Sequence, residues 1–218
     1  MSLLSKWRTY SRKYGATHAA CRFVGSRMPV FWRIAGPIVS RRYRERWMRR
    51  PGPKILNLGG GSHCTDHFLT ADIDAGADTF VDMTMPLPFA DGSFDGILLE
   101  EAIEHISKRD GARMLTECAR ICRPGGTIRI ATPDLEWFCS ALLSRAIDPD
   151  DINLIFYGHN HRHIYGRGEL ADALRQAGLS DVRASSYKDP NSRLGHLDTH
   201  AERFQHAPEI SQYVEALR

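Results

Sequence analysis

Ile55-Leu-Asn-Leu-Gly-Gly-Gly61 joins a short apolar run to three consecutive glycines. An apolar run of this length that ends in a glycine turn is typical of a strand buried on both faces of a parallel sheet. Glycines at that point let the backbone approach a ligand at a distance where a Cβ atom would clash. The stretch therefore predicts a strand whose carboxyl end carries a ligand-binding turn.

Strand and helix patterns alternate along the chain on the carboxyl side of this turn. The predicted strands are Phe68–Ile73, Asp78–Asp82, Phe94–Leu99, Thr127–Ala131, Asp181–Tyr187 and Gln212–Ala216. One helix opens at Ser107, with Asp110 three residues on as a capping pair, and Gly178 ends another that spans Gly168–Ala177. Pro124-Gly-Gly126 predicts a tight turn. The alternation predicts an α/β fold with its ligands at the carboxyl ends of the strands.

Acidic residues close the second and third predicted strands. Asp72 can accept both hydroxyls of a ribose, and Asp82 can accept the amino group of an adenine while the Met83 amide reaches a ring nitrogen. Each acid alone is equally typical of a loop or of a helix cap. A nicotinamide dinucleotide is disfavoured, because the fingerprint G-x-G-x-x-G would need glycine where Cys64 stands and an acid further along than Asp72.

The chain resembles the class I S-adenosylmethionine-dependent methyltransferases, most closely their type 11 group. The motifs that carry the resemblance are Ile55 to Gly61, Ala71-Asp-Ile-Asp74, Asp82-Met-Thr-Met-Pro-Leu-Pro-Phe-Ala-Asp-Gly-Ser-Phe-Asp95, Leu99 to His105 and Arg123-Pro-Gly-Gly126. Together and in this order they are specific. The resemblance is strong over residues 54–138, looser over 160–216, and absent from residues 1–50.

The resemblance implies a Rossmann-like three-layer α/β/α sandwich, with a seven-stranded, mostly parallel sheet whose last strand is antiparallel. It also implies S-adenosylmethionine as the cofactor and S-adenosylhomocysteine as its product. The implied cofactor-binding residues are Asn57, Leu58, Gly59, Gly60, Gly61, Asp72, Ile73, Asp82, Met83, Leu99 and Glu100. Ribose would lie at Asp72, adenine at Asp82 and Met83, and the methionine end near Asn57, Leu99 and Glu100.

Two residues depart from the pattern of the family. Many relatives have an acid where Asn57 stands, and the third glycine of the usual turn is His63. Only nine positions separate His63 from Asp72, so any helix between the first two strands must be very short. We therefore expect the residues before Arg50, or the connection over 133–166, to cover the cofactor.

The acceptor side of the reaction has its own candidates. Methyl transfer to a hydroxyl needs a base that accepts the hydroxyl proton. His105 is the first candidate for this base, and Glu101 and Glu104 are carboxylate alternatives. His105 is equally typical of a residue that orders its loop. His163 most resembles an acceptor-facing position, in a pocket formed by residues 133–166 and part of 188–206. That region is polar, which favours a hydroxylated small molecule or a glycan.

Histidines alternate over Gly158-His-Asn-His-Arg-His163. On an extended segment they would face the same way, which permits a metal site, but neither a CxxC nor an HExxH motif accompanies them. Polar substrate contact and a solvated loop are the other interpretations. We therefore expect no metal ligands from the sequence.

Residues 1–50 differ in charge from the rest of the chain. They hold 13 Lys and Arg against one acid, Glu45, so their charge is +12, and the total of +3 leaves −9 for the remainder. Arg50-Pro-Gly-Pro53 predicts a boundary between a basic helical extension over 1–50 and a methyltransferase domain over 51–218. The simplest interpretation is a pair of solvated helices packed on the acidic domain. Peripheral contact with anionic membrane, nucleic-acid binding and self-association as a homodimer are the alternatives.

The sequence favours an O-methyltransferase that acts on a small molecule or glycan. An RNA methyltransferase that uses the basic arm is the second hypothesis, although the chain shows no RNA-binding module. A scaffold that has lost catalysis is the third.

The five cysteines form no disulfide pattern, and no signal peptide is visible, so we expect a cytoplasmic protein, with membrane association as an option.

Overall fold

The computed structural model describes residues 3–218, with side chains from Trp7 onward. The chain forms two compact units, residues 1–82 and residues 83–218. In the part of the chain described, no helix is both long and apolar enough to cross a bilayer.

The first unit begins with three helices and continues into three short strands. The helices are α1 (Leu3–Tyr14), α2 (Ala16–Gly25) and α3 (Pro29–Met48). The strands are β1 (Ile55–Leu58), β2 (Leu69–Asp72) and β3 (Thr79–Phe80), all parallel. Residues 59–68 between β1 and β2 contain no helix, where the sequence allowed a very short one.

The helices α2 and α3 pack on the β3 end of this unit. Trp32, Ala75 and Phe80 form a buried apolar cluster, and a Cβ atom at Gly36 would lie 2.9 Å from the Phe80 ring. The Ser40 hydroxyl accepts hydrogen bonds from the Phe80 N–H and the Thr79 hydroxyl, both at 3.1 Å. These contacts cover a strand edge that would otherwise expose its backbone groups. The basic segment is therefore three helices with a shared core, where a pair of solvated helices was expected.

Charge also ties the helices to this unit. The Asp78 carboxylate is fully buried and accepts hydrogen bonds from the Tyr14 hydroxyl at 2.7 Å and the Thr70 N–H at 3.2 Å. The Lys13 ammonium lies 2.9 Å from the same carboxylate. A buried carboxylate needs such partners, because removing them leaves an uncompensated charge.

The second unit contains the remaining strands and helices. In chain order they are β4 (Phe94–Glu100), α4 (Lys108–Ile121), β5 (Cys122–Pro133), α5 (Leu135–Leu143), α6 (Pro149–Asn153), α7 (Arg167–Gln176), β6 (Ser180–Ser185), α8 (His200–Phe204) and β7 (Ser211–Leu217). A 3₁₀ turn spans Ile103–His105, and a π-helical turn spans Leu154–Gly158. Ser107 caps α4 and accepts the Asp110 N–H, as the sequence predicted.

The strand order is β3-β2-β1 in the first unit and β4-β5-β7-β6 in the second, and the sheet has seven strands. Strand β4 pairs with β5 in parallel, whereas β7 runs antiparallel to both β5 and β6. The predicted Rossmann-like α/β fold, with its antiparallel last strand, is confirmed. The predicted Pro124–Gly126 turn lies within β5 as a bulge: Gly125 has φ 74°, and pairing with β4 passes from Cys122 to Thr127 across it.

The helical core of the first unit should make stability depend on pH. His18 is buried against the Tyr14, Trp32 and Tyr43 rings, and burial, followed by the charge of Arg22, lowers its pKa from 6.5 to about 4. As the pH falls below 6.5, His18 therefore binds a proton in the unfolded chain before it does so in the folded chain. We expect the free energy of unfolding to fall by about 2 kcal/mol between pH 7 and pH 5 from this residue.

Urea unfolding at the two pH values measures this dependence. His18→Phe keeps an aromatic ring and removes the proton site, so the fall should shrink in this variant. The exposed His67→Phe exchange serves as the matched control and should leave the fall unchanged. Equal pH dependence in all three proteins would contradict the assignment.

Candidate active site

The turn after β1 is built so that only glycine fits. Gly59 and Gly61 have φ values of 79° and 56°, a region that side chains disfavour. A Cβ atom on Gly60 would lie 2.1 Å from the Asn57 amide nitrogen, so a side chain here would displace the Asn57 amide. The three glycines therefore leave the backbone of the turn uncovered by Cβ atoms, and its role in ligand binding stays a prediction.

Asn57 closes β1 with an unsatisfied amide. Its side chain is fully buried, and neither its oxygen nor its nitrogen has a hydrogen-bond partner among the described residues. Leaving such a group unpaired costs about 1–3 kcal/mol, so a buried free amide calls for a polar ligand. An amide offers both a donor and an acceptor, which fits the amino and carboxylate groups of a bound amino acid.

Asp72 lies at the end of β2 and contacts the glycine turn. Its Oδ2 accepts the Gly61 N–H and its Oδ1 accepts the Asp74 N–H, each at 2.8 Å. Burial raises the pKa of Asp72, and these two N–H donors lower it in part. Each oxygen keeps a free lone pair for a hydroxyl donor. The next side chain, Ile73, is 44% exposed and offers an apolar surface to a flat ring.

The other predicted cofactor-binding residues differ in how far they are buried. Asp82 and Met83 follow β3 and are half-buried, whereas Leu58 and Leu99 are fully buried. Glu100 ends β4, where it accepts the Thr199 N–H at 2.7 Å and contacts His200 at 3.0 Å and Arg203 at 3.0 Å. Burial raises the pKa of Glu100, but the bonds from His200 and Thr199 outweigh it. Its carboxylate is thus satisfied within the second unit, and its part in cofactor binding stays a prediction.

Glu104 has the most unusual surroundings of the predicted catalytic residues. Its side chain is fully buried; Oε2 accepts the Thr132 hydroxyl at 2.9 Å, while Oε1 has no partner in the described part of the chain. Burial, followed by the charge of Glu101, raises the pKa of Glu104 well above its usual range. Buried, perturbed carboxyls of this kind cluster at functional sites.

Glu101 and His105 flank this carboxyl. Glu101 has φ 50°, a strained conformation for a non-glycine residue, and its carboxylate accepts the Ser211 hydroxyl at 2.8 Å. The His105 side chain is 41% exposed, and its Nε2 lies 3.9 Å from the Glu104 Oε1. The structure therefore brings the three predicted catalytic residues of the β4 end together.

His163, the fourth predicted catalytic residue, donates its N–H to the Glu104 carbonyl at 3.2 Å, but its side chain has other partners. Its Nε2 is 2.9 Å from the Glu169 carboxylate, and its ring packs on Tyr165. The alternating histidines are divided: the His159 and His161 rings lie 5.6 Å apart, whereas the His163 ring packs on Tyr165. Asn160, with φ 58°, interrupts the extended backbone that the sequence suggested. His161 takes the position beside His105 instead, with 4.8 Å between ring centroids.

Sequence reasoning missed three histidines of the second unit. His161 was part of the recognised cluster but was not chosen; burial, followed by the charges of His105 and His159, lowers its pKa to about 4. His200 and His206 lie beside Glu101, in a group whose ligand-type atoms are all within 4.8 Å of one another. They come from α8 and the residues after it, about 100 residues from Glu101 along the chain, so no short sequence motif contains the three residues.

Comparisons with known proteins find methyltransferases. A family model for a methyltransferase domain matches residues 68–130. A demethylmenaquinone methyltransferase from Corynebacterium glutamicum is 27% identical over 171 residues, covering 65% of this chain and 74% of that protein. Another, from Mycolicibacterium vanbaalenii, is 28% identical over 204 residues, covering 79% and 84%.

A solved structure resembles the fold. It is a SAM-dependent methyltransferase from Thermotoga maritima, described as a possible histamine N-methyltransferase. It covers 85% of this chain and 99% of its own, with a TM-score of 0.50 and 19% identity, so the likeness is one of fold.

The sheet, the glycine turn and the matched family model define a class I S-adenosylmethionine-dependent methyltransferase. This chain is therefore a transferase whose methyl donor is S-adenosylmethionine and whose second product is S-adenosylhomocysteine. When bound, the cofactor supplies a methyl group activated by a sulfonium.

Proposed function

We propose that the chain methylates a hydroxyl group of a small molecule or glycan. Asn57, the Gly59–Gly61 turn and Asp72 would hold the cofactor, with Asp82 and Met83 at its adenine. The observation that carries the acceptor class is the buried Glu104 carboxyl with its unpartnered oxygen, beside His105. A polar, ionisable group in a buried place suits an acceptor that must lose a proton.

Methyl transfer to a hydroxyl requires correct positioning of the acceptor and the cofactor, and one proton transfer. Bound S-adenosylmethionine would supply the methyl group, and the site would have to hold the acceptor oxygen, the methyl carbon and the sulfur in line, which supplies much of the rate. The acceptor proton passes to a base as the new bond forms, which contributes about 10²–10⁴-fold. His105 is the partly exposed base in this proposal, and the Glu104 carboxyl lies 3.9 Å from its ring. Glu101 is the alternative carboxylate.

Replacing His105 should separate chemistry from cofactor binding. We expect His105→Gln to lower kcat by about 100-fold or more while binding of S-adenosylhomocysteine stays unchanged. The assay uses S-adenosylmethionine with a ¹³C-methyl group and a panel of phenols, quinols and glycans, with products identified by NMR. His196→Gln, an exposed histidine of the same unit, is the control. Full activity of His105→Gln would rule out the residue as base.

A ring carbon beside a hydroxyl is the second candidate for the methylated atom. The demethylmenaquinone methyltransferases at 27% and 28% identity favour it. Removing the hydroxyl proton of a quinol makes its ring carbon nucleophilic, so the same base would serve. The NMR assay separates the two, because methyl groups on oxygen and on carbon resonate apart. Methyl transfer to RNA, with steep salt dependence, would instead support the RNA hypothesis.

We also propose that helix α3 makes peripheral contact with anionic membrane. Val30, Ile34 and Ile38 are each at least 70% exposed and follow one another at four-residue spacing, so they form one apolar stripe. Arg27, Arg33, Arg41 and Arg42 lie around it and are exposed. An apolar stripe bordered by cations is typical of a helix that lies in a lipid interface.

Liposome co-sedimentation tests this contact. We expect the chain to bind vesicles that contain phosphatidylserine, and to lose most of the binding when Val30, Ile34 and Ile38 are all changed to Ser. Leu143→Ser is the matched control, since Leu143 is 86% exposed in the second unit. Equal binding of the triple variant and the control would dispose of the membrane contact. The cytoplasmic location and the boundary near residue 50 stay predictions.

A further inference from the structure

Three side chains with metal-binding chemistry meet at the end of β4. The ligand-type atoms of Glu104, His105 and His161 all lie within 4.8 Å of one another. We call these residues the Glu104 cluster. They come from the 3₁₀ turn over Ile103–His105 and from the segment after the π-helical turn, so the fold rather than a motif assembles them.

The Glu104 cluster contains two buried atoms without partners. Neither the Glu104 Oε1 nor the His161 Nδ1 has a hydrogen-bond partner in the part of the chain that the structure describes, and both are shielded from solvent. Buried polar atoms in native proteins are paired in the great majority of cases. One of these atoms is a carboxylate oxygen and the other an imidazole nitrogen, and both are good metal ligands. Two such unpaired atoms in one cluster point to a bound ion.

The neighbours of the cluster hold it in place. The Thr132 hydroxyl donates to the Glu104 Oε2 at 2.9 Å, which fixes the carboxyl plane and leaves Oε1 towards the histidines. The Glu104 carbonyl accepts the Arg162 N–H at 2.7 Å and the His163 N–H at 3.2 Å, and this pins the histidine segment to the turn. Such supporting bonds are usual around metal ligands, because they set ligand orientation.

We propose that Glu104, His105 and His161 bind a divalent transition-metal ion. Two imidazoles and one carboxylate suit Zn²⁺, Co²⁺ or Fe²⁺, and three protein ligands leave at least one position open. The second acidic and histidine group, Glu101 with His200 and His206, is a weaker candidate. Both ring nitrogens of His200 are already engaged, with Glu100 at 3.0 Å and the Tyr213 hydroxyl at 2.9 Å.

The role of the ion rests on the proposed function, although its binding does not. An acceptor hydroxyl in the open position would lose its proton to water at lower pH, because the cation stabilises the oxyanion. The oxyanion then forms the oxygen–carbon bond, the carbon–sulfur bond breaks, and its electron pair stays on sulfur. In that case His105 is a ligand and not a base. Activity of His105→Gln does not separate the two roles, whereas metal binding does.

Metal titration of the full chain tests the site. After treatment with EDTA and buffer exchange, Co²⁺ is added and its visible d–d absorption is followed; Zn²⁺ affinity is measured by calorimetry. We expect one equivalent of Co²⁺ with the intense absorption of a low-coordinate site. Glu104→Gln and His161→Asn should each weaken Zn²⁺ binding by about 100-fold or more, since lesser changes around metal sites already cost 10–100-fold.

Controls separate loss of the site from loss of the fold. His196→Asn should bind both metals like the parent chain, and circular dichroism with S-adenosylhomocysteine calorimetry should show that the ligand variants remain folded. Unchanged Zn²⁺ affinity in Glu104→Gln and His161→Asn, or no Co²⁺ absorption in the parent chain, would overturn the proposal. Tight metal binding without methyl transfer to any hydroxyl would leave the site standing and would count against the proposed function alone.

Discussion

Asp72→Ala is expected to weaken binding of S-adenosylhomocysteine by about 100-fold or more. A carboxylate that accepts two ribose hydroxyls forms two charge-assisted hydrogen bonds, each worth about 1.5–3 kcal/mol. The same carboxylate also accepts the Gly61 N–H at 2.8 Å, so the variant loosens the glycine turn as well. Calorimetric titration of the purified chain measures the loss.

Two further variants separate these effects. Asp72→Asn keeps one acceptor for a hydroxyl and should bind with intermediate affinity. Asp66→Ala lies on the same connection between β1 and β2, is exposed, and should bind like the parent chain. Equal affinity of Asp72→Ala and the parent would remove Asp72 from the cofactor site. No binding by the parent chain would instead favour the inactive-scaffold hypothesis.

Asp198→Ala is expected to lower the free energy of unfolding by about 3–5 kcal/mol. Arg129 on β5 is fully buried; its Nε donates to the Asp198 carboxylate at 2.7 Å, and its Nη1 donates to Glu215 at 3.2 Å. Without Asp198, the buried Arg129 keeps the carboxylate of Glu215, which it shares with the exposed Arg183, so its charge is compensated in part and water cannot reach it; this accounts for the magnitude. The Lys188 N–H, which donates to Asp198 at 2.8 Å, also loses its acceptor.

Urea denaturation measures the change, and an exposed ion pair supplies the control. Arg175 and Asp172 pair at 2.8 Å on the surface of α7, where solvent screens the interaction, so Asp172→Ala should change stability little. Similar losses for the two alanine variants would show that the Arg129 pair is no more important than a surface one. Arg129→Met with Asp198→Leu would then test whether an apolar pair of similar volume restores stability.

The prediction of the cofactor-binding residues rests on local signals. A buried strand must be apolar, and a backbone that approaches a ligand closely needs glycine. Ile55 to Gly61 shows both features, and the acid Asp72 follows at the end of the next strand. The same locality explains why Ser107 was identified as a helix cap: a side chain and the N–H three residues on decide it.

The helices before Arg50 show where local signals stop. Their charge predicted a segment distinct from the rest, yet Trp32 and Ser40 complete the β3 edge of the first unit. Deleting residues 1–50 would therefore remove core contacts along with any cover for the cofactor. Substitutions on the exposed stripe of α3 are the cleaner test of what this segment binds.

The sequence by itself determined the alternation of strands and helices, the glycine turn, and the acids at the ends of successive strands. Each depends on backbone conformation and on residues a few positions apart. Only the tertiary structure decided that His161, and not His163, stands beside His105, and that Asp198 neutralises Arg129 at a separation of 69 residues. The physical reason is that a buried charge or lone pair takes whichever partner the packing brings within hydrogen-bond distance, and sequence spacing does not encode that distance.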